Sequence, residues 1–147
     1  MKNGTIIFLN GTSSAGKTTL ALALQETLVE PFQHMALDQF RDGMSAKYRG
    51  VNAPKGSSGA DGLNVVPNRS NSGDCTSIEF GSTGQRMLRG MRRAIAAMAL
   101  EGNNIIIDDI ILHEDFLTDY LIAMSSLPVY FVGVRCPLEA IKKRESL

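Results

Sequence analysis

Thr5-Ile6-Ile7-Phe8-Leu9-Asn10-Gly11-Thr12-Ser13-Ser14-Ala15-Gly16-Lys17-Thr18-Thr19 is the run that decides the fold. Thr5 to Leu9 is short, largely apolar and rich in β-branched residues, as expected of a strand buried on both faces. Gly11 to Gly16 breaks that pattern. From Lys17 to Val29 the leucines Leu20, Leu24 and Leu28 recur every fourth residue, a helical stripe that Pro31 ends. Between strand and helix, Gly11 to Thr18 matches GxxxxGK[ST] in full. The glycines permit backbone angles that turn successive N–H groups toward one anion. The positive end of the helix adds to the same place. Gly11, Thr12, Ser13, Ser14, Ala15, Gly16, Lys17, Thr18 and Thr19 are therefore the expected ATP-binding residues. Lys17 is suited to reach β- and γ-phosphate oxygens, and the Thr18 hydroxyl is a hard ligand for Mg²⁺.

Outward from this motif, strand and helix patterns alternate. His34 to Leu37 reads as a second strand. Thr83 to Glu101 reads as a helix whose apolar face is Leu88, Met91, Ile95 and Met98, stopped by Gly102. Asn104 to Asp109 (NIIIDD) is a clear buried strand. A helix from Glu114 to Met124, a strand from Pro128 to Val134 and a helix opening at Pro137 complete the chain. Alternation of this kind predicts an α/β fold with a parallel sheet between helical layers, in a single domain spanning residues 1–147. From Gly50 to Ser77, sixteen of 28 residues are Gly, Ser, Asn or Pro, which predicts a long irregular surface segment.

The composition narrows the classes of function. A chain of 147 residues buries roughly two-thirds of its unfolded surface. Fifteen Lys and Arg balance fifteen Asp and Glu, so no excess of positive charge favours nucleic acid or an anionic membrane surface. Cys75 and Cys136 stand 61 residues apart with no CxxC partner, as reduced thiols do. Neither Ile6–Leu9 nor the run from Ile105 to Leu112, broken by Asp108 and Asp109, is long enough for a signal peptide or a span. These features point to a soluble, cytoplasmic protein. They set no oligomeric state.

Asp108 and Asp109 end a strand at the edge where ligands collect in open α/β sheets, so either could hold Mg²⁺ through water. Successive strand residues face opposite ways, so one of the two is expected to look toward the phosphates. The alternative is that both cap the next helix or face solvent. Asp38 follows the second strand on the same edge, where a carboxylate could accept a hydroxyl proton; it could equally cap a helix starting at Gln39. Arg135 ends a strand on that edge and is a candidate phosphate contact or an ion-pair partner of Asp108 or Asp109. Arg86, Arg89, Arg92 and Arg93 are read as a solvated basic helix face. His34 and His113 lack metal-ligand spacing and are read as structural.

IIFLNGTSSAGKTTLALALQ (6–25), ALDQF (36–40), NIIIDDIIL (104–112) and VYFVGVRCPLEAIKKRE (129–145) together resemble the chloramphenicol phosphotransferase-like proteins. Those are P-loop kinases with a nucleoside-monophosphate-kinase type of sheet. The resemblance implies ATP- and Mg²⁺-dependent phosphorylation of a hydroxyl on a small-molecule alcohol, chloramphenicol-like or related. It gives Asp38 the place of the family's general base, and Lys17 and Thr18 its phosphate and Mg²⁺ positions. The segment at about 49–82 falls on the substrate side and resembles the family least. Family members continue past Leu147 with an arginine-bearing lid, a further strand and a closing helix, so this chain is expected either to be truncated or to receive those pieces from elsewhere. Other expectations are a metabolite, nucleotide or shikimate-type kinase, with Arg86, Arg89 and Arg93 holding an anionic acceptor, or a nucleotide-binding module without turnover.

Overall fold

A computed structural model describes residues 2–70 and 73–146. Its contacts divide the chain into two compact units, one formed by the chain up to Leu37 together with Arg92 onward, the other by Asp38 to Met91.

The first unit holds a four-stranded sheet in the order β2-β6-β1-β7, parallel throughout. Its strands are β1 (Ile6–Asn10), β2 (Phe32–Ala36), β6 (Asn104–Asp109) and β7 (Val129–Gly133). The helices are α1 (Lys17–Thr27), the second half of α4 (Ser82–Leu100), α5 (Glu114–Ala123) and α6 (Leu138–Glu145). This is the α/β architecture that the alternating pattern predicts, and the element boundaries fall within a few residues of those expected.

Side chains alternate across the sheet as strand geometry requires. Leu9 and Ile106 pack with Ala21 of α1, flanked by Ile7, Leu20, Leu24, Phe32 and Val134. On the other face Phe8 meets Tyr120 of α5 edge-on, with ring centroids 4.7 Å apart, and stacks on Phe131 at 5.1 Å. Phe8 is fully buried between these rings. Phe8→Ala is expected to cost about 3–5 kcal/mol, which lowers Tm by on the order of 10 °C in a chain of this size. A thermal melt that shifts by less than about 3 °C would show that Phe8 does not anchor this face.

The second unit opens with α2 (Leu37–Asp42) and a 3₁₀ turn at Ala46–Tyr48. A three-stranded sheet follows, in the order β3-β4-β5. Its strands are β3 (Arg49–Val51), β4 (Leu63–Ser70) and β5 (Gly73–Phe80), with α3 (Ser58–Asp61) between β3 and β4. β3 runs parallel to β4, whereas β4 and β5 form an antiparallel pair from Leu63↔Phe80 inward.

The irregular segment expected at about 49–82 is thus mostly strand. Its composition concealed an alternating signal carried by few residues: Leu63, Val65, Thr76, Ile78 and Phe80. The remaining glycines, serines and asparagines permit close backbone approach and side-chain-to-backbone bonds. Asn64 is an example, buried with its Oδ1 accepting from the Ala53 N–H and its amide donating to the Ala53 carbonyl. Asp61 accepts hydrogen bonds from the Ser82 hydroxyl and N–H and from the Thr83 hydroxyl, capping α4 from a distant part of the chain. The Ser82 hydroxyl, followed by that of Thr83, holds the Asp61 carboxyl below its ordinary pKa.

Candidate active site

The strand-to-helix turn has the backbone that the motif predicts. Ser14 and Gly16 both take left-handed angles, with φ of 58° and 99°. A serine there is strained, and such strain concentrates where a loop is shaped for a ligand. Gly11 is required for another reason: a Cβ at this position would collide with the Val134 carbonyl oxygen. Gly16 caps α1 and, having no side chain, makes no side-chain cap hydrogen bond to the first turn of that helix.

Lys17 is buried, 8% exposed, and its Nζ donates to the Thr12 carbonyl at 2.9 Å. The same Nζ lies 3.9 Å from Oδ1 of Asp108. Thr18 donates its hydroxyl to Oδ2 of Asp108 at 2.6 Å. The structure therefore brings together Lys17, Thr18 and Asp108 from two elements far apart in sequence.

Asp108 and Asp109 have separate environments. Asp108 shares the sheet face of Ile106, toward α1. Asp109 points to the other face, where its carboxylate accepts from the Tyr120 hydroxyl at 2.6 Å and from the Ile110 N–H at 2.7 Å. Burial pushes the Asp109 pKa up, against the lowering effect of those hydrogen bonds and of the Arg92 and Lys17 charges. Burial, reinforced by the Asp109 charge, also raises the Tyr120 phenol well above its ordinary value. The hard oxygens of Thr18 and Asp108 suit a divalent cation held beside phosphate; Asp109 instead ties the strand end to α5.

The other expected positions fall elsewhere. Arg135 lines a cleft of about 520 Å³ with Asn10, Gly11, Thr12 and Leu138. Asp38 lies inside the first turn of α2, two residues past the end of β2, so it is not the cap of a helix starting at Gln39. Its side chain is 72% exposed and pairs with Arg41 at 2.8 Å.

Arg92 departs from the sequence reading, and Arg144 makes a contact that the sequence does not announce. Arg92 is not on a solvated face: it is 2% exposed, paired with Asp119 at 2.9 Å, and lies over the rings of Phe116 and Tyr120. Its place, four residues after Leu88 and three before Ile95, sets it on the buried stripe. Arg93 beside it is the exposed partner of Asp119. Arg144, in the last turn of α6, reaches back to the Ser14 carbonyl at 2.7 Å. It lines a cavity of about 750 Å³ with Ser14 to Leu20 and Ala23. Nothing in the local pattern of KKRESL distinguishes it from an ordinary basic helix end.

A strand, a loop with left-handed turns, a helix and a facing strand-end carboxylate define the class of P-loop NTPase-like folds. The chain belongs to the chloramphenicol phosphotransferase-like protein family, which it matches over residues 4–147. It is 30% identical over 152 aligned positions to proteins of Mycobacterium tuberculosis strains H37Rv and CDC 1551, each named "Putative O-phosphotransferase". The alignment takes in 99% of this chain but 63% of those relatives, so the chain spans less than two-thirds of their length. Among solved structures, the APS kinase CysC of Mycobacterium tuberculosis, in complex with AMPPNP and APS, superposes with a TM-score of 0.66 at 15% identity. That match covers 99% of this chain and 70% of the other. A sugar kinase from Janibacter sp. superposes with a TM-score of 0.56 at 19% identity, over 99% of this chain and 67% of the other. At these identities the superpositions establish the fold. Among the described residues, no helix is long and apolar enough to cross a membrane.

Proposed function

We propose that this protein is an ATP-dependent O-phosphotransferase that phosphorylates a hydroxyl group of a small-molecule alcohol. One observation carries the reading: Lys17 and Thr18, at the mouth of a phosphate-shaped turn, both lie against the carboxylate of Asp108. Membership of the phosphotransferase-like family supports the same reading. In it, the N–H groups of Gly11 to Thr19 and the α1 N-terminus receive the phosphates of ATP. Lys17 exchanges its bond to the Thr12 carbonyl for phosphate oxygens, and Arg144 supplies a second cation from α6. Arg135, beside Gly11 and Thr12, is a further candidate contact.

Thr18 and Asp108, and not Asp109, would hold Mg²⁺. When bound, that ion neutralises charge on the β- and γ-phosphates. Asp38 is assigned as general base. It takes the proton of the acceptor hydroxyl as that oxygen bonds to the γ-phosphorus. The bond from the γ-phosphorus to the β–γ bridging oxygen breaks, leaving ADP and a phosphate monoester, and the proton passes on to solvent. Positioning and charge neutralisation supply most of the rate in such transfers.

The test is Mg²⁺-dependent ADP release measured over two acceptor panels, neutral alcohols (chloramphenicol among them) and alcohols carrying phosphate or carboxylate. ADP release that requires a neutral alcohol supports the reading. Release only with anionic acceptors favours a metabolite or nucleotide kinase instead. ATP binding without acceptor-dependent release in either panel would identify a nucleotide-binding module and overturn the transferase reading.

A further inference from the structure

His34 is a half-buried ring on β2, with a side chain 13% exposed. Its Nε2 is shielded from solvent and has no partner in hydrogen-bond geometry, yet it lies 3.4 Å from Oδ2 of Asp108. The strand register explains the approach. His34 pairs with Ile106 and Ala36 with Asp108 across the parallel β2–β6 pair. Residues two apart on a strand share a face, so the imidazole sits diagonally beside the carboxylate on the face toward α1. A ring nitrogen buried without a partner is unfavourable. An apolar residue would fill the same place on this strand without that penalty.

Three side-chain contacts of Asp108 among the described residues differ in what ligand binding would do to them. Two come from α1: the Thr18 hydroxyl at 2.6 Å on Oδ2 and the Lys17 ammonium at 3.9 Å from Oδ1. Both side chains turn to phosphate and cation when the site fills. The His34 contact comes instead from the sheet, from β2. We infer that His34 is a positioning residue for Asp108, its Nε2 edge 3.4 Å from Oδ2 bracing the carboxylate so that it keeps its orientation toward the cation site while Lys17 and Thr18 engage the nucleotide. This rests on the assignment of Asp108 as the Mg²⁺ acid. Partners that orient a ligating group from behind are typically worth 10–100-fold in metal affinity.

The experiment compares wild type, His34→Leu, His34→Gln and Asp108→Asn by calorimetry of AMPPNP binding, in EDTA and in saturating Mg²⁺. Melting temperatures in EDTA serve as the check on folding. The quantity read is the gain in affinity that Mg²⁺ confers. Asp108→Asn should abolish it. His34→Leu should reduce it by roughly tenfold while leaving metal-free affinity within about twofold. His34→Gln should restore most of it, because the Gln amide nitrogen stands three bonds from Cβ, as His Nε2 does. Should His34→Leu melt too low to measure, His34→Met provides the apolar replacement. A gain unchanged by the apolar variant, or lost equally in His34→Gln, overturns the role of His34 while Asp108 stands. A gain that survives Asp108→Asn overturns the assignment of Asp108 first, and that of His34 with it.

Discussion

Asp38→Asn is expected to lower kcat by roughly 10²–10⁴-fold with ATP affinity nearly unchanged, the range that loss of a general base produces. Asn keeps the size of the side chain and removes only its capacity to take a proton. The structure separates this loss from a folding defect. Asp38 is exposed, and its visible interactions are an ion pair with Arg41 and a place in the first turn of α2. An exposed pair contributes about 0–1 kcal/mol, and an acid in the first turn of a helix adds at most about 1 kcal/mol. Neither accounts for the predicted fall in turnover. The measurement is steady-state kinetics with the acceptor that supports ADP release, together with a thermal melt of the variant. Unchanged kcat in a folded Asp38→Asn protein would remove Asp38 from the mechanism and leave it an exposed helix residue. A parallel rise in the Kd for ATP would move it to the nucleotide side.

Much of the first unit was legible because its signals are local. A buried parallel strand reads as an apolar run, and Ile105 to Ile107 needs no partner to be recognised. The GxxxxGK[ST] pattern is legible for the same reason, since each position answers to one backbone or phosphate requirement. Alternation alone foretold that Asp108 and Asp109 would part company. Which of them would face the turn depended on the sheet face α1 covers, fixed by Leu9, Ala21 and Ile106 packing together. The β4–β5 pair was illegible because its strength lies in pairing between distant residues and in asparagine and aspartate side chains bonding backbone and hydroxyls across loops. Composition counts Asn64 and Asp61 as loop residues, although one is buried and the other caps a helix. Arg92 and Arg144 were missed for a related reason. A long cationic side chain has no sequence mark that tells solvent from a buried aromatic pair or a carbonyl 130 residues away. His34 looked isolated because its neighbour Asp108 stands beside it only through the strand register.

Lys17→Met should weaken ATP binding by about 10–100-fold, the worth of one charge-assisted hydrogen bond to phosphate, while adenosine binding stays within about twofold. Turnover should fall further, by roughly 10²–10³-fold, since a preorganised donor is stronger where charge develops in the transition state. Met is preferred to Ala because the Lys17 stem is itself buried, and a methionine retains that packing. Removing the ammonium has a second consequence in the ligand-free protein. It takes away the cation 3.9 Å from a carboxylate that is itself buried, while the His34 and Thr18 hydroxyl contacts of Asp108 remain. Breaking a buried pair on one side is destabilising, so the variant should also melt below wild type. The two effects separate in the double variant Lys17→Met with Asp108→Asn. Neutralising the carboxylate should recover much of the lost melting temperature and none of the lost ATP affinity. Calorimetry showing equal losses for ATP and adenosine would count against Lys17 at the phosphates. Recovery of ATP affinity in the double variant would mean that the single change acted by deforming the turn around Asp108 and not by losing a contact to phosphate.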